Sequence, residues 1–136
     1  MNFMTFFKLY LIALPVFFII DMIWLGLIAK GFYGKHLGFL MRPRPNWTAA
    51  IVFYLIFIAG ILIFVVMPAK ADGSAIKAVW LGLAFGLVTY ATYDLTNLAT
   101  IKQWPLVVTV VDLIWGMVLS ASVGFLTYVI SKALKV

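Results

Sequence analysis

Apolar residues run almost unbroken through four stretches: Phe3 to Ala29, Thr48 to Met67, Ile76 to Ile101 and Pro105 to Ile130. Each provides the about 20 mainly apolar residues that a membrane-spanning helix needs. None shows the period-two alternation of a half-buried strand. The breaks carry helix-ending chemistry. Gly31, Gly34, Gly38, Pro43 and Pro45 fall between Lys30 and Trp47, and Pro68 to Ser74 reads as a polar turn ending in an N-cap serine. Lys102 to Trp104 is a very tight connection, with Pro105 where a helix can start. The pattern predicts an all-α polytopic membrane protein: a bundle of four transmembrane helices in a single membrane domain, residues 1–136. The apolar run after Lys8 is too long for a signal peptide and has no small-residue cleavage site before the charged loop, so it is read as a helix of the mature protein.

Composition narrows the class. Hydrophobic residues make up 66% of the 136 and charged residues 10%, against near half and a quarter in a soluble domain, which rules out a water-facing globular surface. The net charge of +6 does not point to nucleic acid, because the basic residues stand singly or in pairs beside apolar runs, as membrane-flanking charges do. They give no clear orientation. Lys30, Lys35, Arg42, Arg44 and Lys102 fall on the side of loops one and three, and Lys8, Lys70, Lys77, Lys132 and Lys135 on the other. The excess after the first span leans toward a cytoplasmic loop one. With no cysteine, disulfides and thiolate metal sites are excluded. The lone His36 makes a metal site unexpected, and no motif calls for a cofactor.

The most informative residues are three aspartates inside apolar spans. Asp21, Asp94 and Asp112 each cost about 2.5–3.5 kcal/mol at a helix centre unless paired, protonated or hydrated. At a rise of about 1.5 Å per residue, Asp21 lies roughly 14 Å from Lys30, Asp94 roughly 12 Å from Lys102 and Asp112 roughly 15 Å beyond it. With alternating helix directions, all three converge on one layer, tilted toward loops one and three. Gly82, Gly86, Tyr90, Asp94 and Asn97 form one stripe of the third helix, and Asp112, Gly116, Ser120 and Gly124 one stripe of the fourth. Asp21-Met-Ile-Trp24 and Asp112-Leu-Ile-Trp115 share an Asp-x-Ile-Trp pattern. No basic side chain lies in a span near the depth of the aspartates to neutralise them. The expected partners are neutral donors: Trp24, Tyr90, Thr92, Tyr93, Thr96, Asn97 and Trp115. Such a cluster, expected to retain at least one proton, can bind a cation, relay a proton or act as acid and base; the plainer reading is helix-to-helix hydrogen bonding.

Loop one offers Phe32, Tyr33, Leu37, Leu40 and Met41 as one apolar face of a short interfacial helix, with Lys35, His36, Arg42 and Arg44 near headgroups. Ordinary anchoring is favoured there over an anion site. Phe53, Tyr54, Phe57 and Phe64 form an aromatic stripe on the second helix, read mainly as packing or lipid contact. Trp47, Trp80 and Trp104 are expected as interface anchors.

The run Tyr90-Ala-Thr-Tyr-Asp-Leu-Thr-Asn-Leu-Ala-Thr100, with Asp21-Met-Ile-Trp24, Phe53-Tyr54, Trp104-Pro105 and Asp112-Leu-Ile-Trp115-Gly116, resembles a bacterial integral-membrane family catalogued as domain of unknown function 2177. The resemblance covers nearly the whole chain and implies a small multi-pass protein of the bacterial inner (cytoplasmic) membrane. It carries no activity over to any residue. A weaker analogy is to the small multidrug transporters, also four-helix proteins with a membrane carboxylate in the first helix; two further aspartates and a long basic loop depart from that pattern. Three function classes stay open. The favoured one is binding or proton-coupled transport of a small cationic or lipid-like ligand, with Asp94 central, Asp21 and Asp112 its partners, and Tyr93 and Asn97 orienting them. The second is a non-catalytic subunit or assembly factor packing through the glycine faces; self-association through the same faces is the further option, a homodimer being the default for so small a transporter. The third is a lipid- or isoprenoid-modifying enzyme using two aspartates as acid and base.

Overall fold

The computed structural model describes residues 2–136. They form four long helices: α1 (Phe3–Leu37), α2 (Trp47–Ala71), α3 (Ala75–Thr100) and α4 (Leu106–Ala133). All four are long and apolar enough to cross a membrane, and no strand occurs among the described residues. Side-chain caps start three of them. Asn2 accepts from the Thr5 N–H at 2.8 Å, Asn46 from Ala49 at 3.1 Å, and Ser74, the serine expected to cap the third helix, from Lys77 at 3.1 Å. The short turn into α4 places Gln103 at φ 63° and Pro105 at the N-cap.

The first helix does not stop before Lys30. It passes through a π-helical turn at Leu25–Ala29 and continues as α-helix from Lys30 to Leu37. A Cβ at Gly31 or Gly34 would meet nothing, so close packing requires neither glycine in this extension. A helix of 35 residues is about 50 Å long, well beyond a hydrocarbon core of about 30 Å. The helical segment expected in loop one is therefore the end of α1. Phe32, Tyr33 and Leu37 belong to it, whereas Leu40 and Met41 follow its end and are exposed.

The hairpin of α3 and α4 is the tightest unit of the fold. A Cβ on Gly86 would overlap the Gly116 carbonyl, and one on Gly82 would overlap the main chain at Ser120–Ala121. The two small-residue faces meet each other within this chain, which leaves neither free for the docking of a partner subunit. Close backbone approach of this kind is how helices associate where lipid removes any hydrophobic driving force between them.

Packing is uneven along the bundle. Leu9, Ala13 and Phe17 of α1, Ile58, Ile61, Leu62, Val65 and Val66 of α2, Ala78 of α3 and Leu119 and Val123 of α4 lie in the buried core. Most of these lie toward the end that carries the α2–α3 turn. Toward the other end, α2 exposes Ile51, Val52, Leu55 and Ile56. The outer faces of all four helices are apolar, with Leu27 81%, Ile56 66% and Val88 65% exposed, surface that lipid solvates and water does not. Trp47 and Trp80 are similarly exposed, but Trp104 is buried and donates its indole N–H to Thr109 at 3.0 Å. The tight α3–α4 turn folds its ring inward against Tyr93, so it is a packing residue and not an interface anchor.

Candidate functional site

A cavity of about 420 Å³ opens in the less tightly packed half of the bundle, and all four helices contribute to it. From α1 come Phe17, Asp21, Trp24, Leu25 and Tyr33. Phe53, Tyr54 and Phe57 come from α2, Thr89, Tyr90 and Tyr93 from α3, and Asp112 and Trp115 from α4. The volume is that of a small-molecule pocket, and its walls are chiefly aromatic. Among the described residues no lysine, arginine or histidine lines it.

The two Asp-x-Ile-Trp segments form matching sides of this cavity. Trp24 and Trp115 stack with ring centroids 4.4 Å apart and planes within 8°. Each tryptophan lies three residues beyond its aspartate, about one helical turn, so the stack brings Asp21 and Asp112 to the same cavity from α1 and α4. Asp21 is buried and has the Tyr54 hydroxyl within hydrogen-bonding reach. Asp112 is buried and accepts a hydrogen bond from the Tyr33 hydroxyl.

Tyr33 reaches Asp112 because of the π turn. Nine residues separate Trp24 from Tyr33, about two and a half turns of a regular helix, which would place them on opposite faces. The wider turn at Leu25–Ala29 resets the phase, and the Tyr33 ring meets Trp24 edge-on at 6.4 Å. Local π geometry of this kind recurs at functional sites.

Asp94 lies behind the cavity wall. It is fully buried, and neither carboxyl oxygen has a donor partner. Its carboxyl neighbours that of Asp112 across the α3–α4 seam. Two carboxylates are both acceptors, so this contact becomes a hydrogen bond only when one of them carries a proton. The backbone beside Asp94 is fixed by Thr109, whose hydroxyl donates to the Asp94 carbonyl at 3.3 Å while accepting from Trp104.

The candidate residues read from the sequence thus fall into groups. Asp21, Trp24, Tyr90, Tyr93, Asp112 and Trp115 line one cavity, and Asp94 backs it. Asn97 is outside the lining, one helical turn from Tyr93 on α3. Asp94 and Asp112 form a close pair, with Asp21 apart from them beside Tyr54, and no group of three ligating side chains suited to a metal ion forms among the described residues. Thr92 and Thr96 turn back to main-chain carbonyls of their own helix at Val88 and at Thr92 and Tyr93, and do not serve the aspartates. Sequence reasoning passed over Tyr33 and Tyr54 as partners of Asp112 and Asp21. Tyr54 was marked by its place in the aromatic stripe of α2 and in the Phe53-Tyr54 pair of the family resemblance, not as a partner of an aspartate.

The fourth carboxylate, Asp72, is in the α2–α3 turn and pairs with Lys77, the only ion pair among the described residues. It takes no part in the cavity. No curated protein and no solved structure matches the chain. A family model does: the one described as predicted membrane protein (DUF2177) matches residues 6–129, nearly the full length, and the chain belongs to that family.

Proposed function

We propose that the protein binds a small cationic or lipid-like molecule by its positive end, in the cavity between Asp21 and Asp112, and that binding exchanges with a proton held by the Asp94–Asp112 pair. The observation that carries this reading is the combination of acceptor-only carboxyl groups, aromatic walls and no basic side chain in one cavity. A cation gains from the carboxylates by charge and from the faces of Trp24, Tyr90 and Trp115 by cation–π attraction, about 2 kcal/mol or more when desolvated. An anion would meet only repulsion there. In this account the protein sits in the inner membrane of a bacterial cell, with the aspartates at the depth of the apolar core. The facing carboxyl pair supplies the exchange: a proton between them satisfies both when the cavity is empty, and a cation beside Asp112 takes over its charge balance.

The test uses purified protein in mild detergent, tetraphenylphosphonium as the probe and a weakly buffered indicator solution. Wild type is expected to bind the probe and release protons. Asp112→Asn is expected to bind at least about tenfold more weakly, as loss of a charge-assisted contact of about 1.5–3 kcal/mol requires. Asp94→Asn, whose amide can donate to Asp112 permanently, is expected to bind without releasing protons. Equal binding by wild type and by the variant with all three aspartates changed to asparagine would contradict the reading.

A further inference from the structure

The cavity is not closed on every side. Toward the core it has a floor, where Phe57 of α2 meets Phe85 and Tyr90 of α3 at ring-centroid distances of 5.4 and 6.1 Å. At the end toward loop one, Tyr33 closes over Asp112 beside Trp24. The α4 side is the tight glycine seam with α3. Between α2 and α3 no such seam exists. Their backbones approach closely mainly from Leu62 onward, in the last turns of α2. Above that point the two helices diverge, and two residues that line the cavity are also its most exposed: Phe53 at 48% and Tyr93 at 58%. The opening is sideways, between two helices whose outer faces are apolar. Phe53 also forms one wall of a shallow groove of about 530 Å³ on α2, with Asn46 and Thr48 at its loop-one end and Ala49, Val52 and Ile56 along it. Ala49, Val52, Phe53 and Ile56, spaced three, one and three residues apart, form a single helical face.

We infer that the cavity is entered from the bilayer through the gap between α2 and α3, and that its ligand is an amphiphile with an amine or quaternary ammonium head and an apolar chain. This inference rests on the cation-binding reading and adds the route and the chain. The head reaches Asp112 and Asp21 past Phe53 and Tyr93. The chain remains in the gap and along the groove of Phe53, Val52 and Ile56, where the surroundings are already hydrocarbon-like. A phospholipid headgroup fits poorly, because no basic side chain in the cavity would receive its phosphate. The ligand class is therefore a single-charge cationic amphiphile lacking phosphate.

The absence of cysteine makes the gap open to direct test. Wild type and a Phe53→Cys/Tyr93→Cys variant are placed in phosphatidylcholine nanodiscs, with empty nanodiscs as the blank for partitioning. Dodecyltrimethylammonium, tetramethylammonium and dodecyl phosphate are the probes. Wild type is expected to take up dodecyltrimethylammonium at least about tenfold more tightly, per free aqueous concentration, than tetramethylammonium, and dodecyl phosphate not at all above the blank. Bridging the two cysteines with a short bismaleimide before the probe is added is expected to block uptake at least about tenfold relative to the unbridged variant; bridging afterwards is expected to trap the bound probe. If both ammonium probes bind equally, require Asp112 and enter regardless of the bridge, the lateral route and the chain are overturned while cation binding stands. If neither ammonium probe binds above the blank, both fall. Uptake of dodecyl phosphate equal to that of the ammonium amphiphile would overturn the assignment of charge.

Discussion

Asp94 and Thr109 show how individual side chains set the chemistry of the site. A fully buried carboxyl with no donor is costly to leave unsatisfied, about 1–3 kcal/mol or more for a polar group that loses its partner. Its oxygens have no partner and its neighbour is another carboxyl, which is why the proposed function makes the residue half of a proton-sharing pair. Thr109 holds the seam beside it by accepting from Trp104 and donating to the Asp94 carbonyl. Thr109→Val is expected to lower stability by about 1–3 kcal/mol, measured as a drop in Tm in detergent, because a buried indole N–H loses its acceptor; Thr109→Ser is expected to retain most of the wild-type value. A Thr109→Val protein as stable as wild type would show that this bridge contributes nothing. The aspartates and their tryptophans were legible in the sequence because a charge in an apolar run stands out and its depth can be counted. Tyr33 and Tyr54 were not: an aromatic residue among aromatic and apolar neighbours carries no mark distinguishing a hydrogen-bond donor to a buried acid from lipid contact. Trp104 misled for the same reason, since a tryptophan at the end of a span has the same local pattern whether it faces outward or folds in.

Two features of the elements bring these side chains together, and only one was open to reading. The four-residue spacing of Gly82 and Gly86, and of Gly116, Ser120 and Gly124, announced close helix contact, and α3 and α4 make it with each other. Gly86→Leu is expected to force the two helices apart, with an overpacking cost of about 1–3 kcal/mol and more if the seam cannot relax. The check is thermal unfolding alongside probe binding: Tm and tetraphenylphosphonium affinity should fall together, because Tyr90 packs on Gly116 across the same seam. Retention of both would mean the seam is not what fixes the cavity wall. The π turn of α1 was invisible in the sequence. Glycines at 31 and 34 read as a break after Ala29, yet the helix continues to Leu37 and carries Tyr33 over Asp112. Glycine weakens a helix by only about 1 kcal/mol relative to alanine, and the contact of Tyr33 with Asp112 on α4 works against that cost.

At the scale of the whole molecule, the fold is graded from a packed end to an open end. The core of Leu9, Ile58, Ile61, Leu62, Val65 and Val123 closes the end of the α2–α3 turn. The aromatic and acidic residues of the cavity lie toward the end of loops one and three, where α2 leans away from α3. A small bundle divided in this way can hold its shape from one end while leaving a cavity at the other. The four spans and their order followed from hydrophobic run length alone; the lean of α2 did not, because run length says nothing about how far apart two helices stand.

The most direct test of the central claim is to locate a cation in the cavity. Crystals grown with tetraphenylarsonium, whose arsenic gives an anomalous signal, are predicted to show one peak between the Asp21 and Asp112 carboxyl groups, beside the Trp24–Trp115 stack, and none there in the Asp21→Asn/Asp112→Asn variant. A peak confined to the outer apolar faces, or one in the cavity that the double variant retains undiminished, would contradict the account.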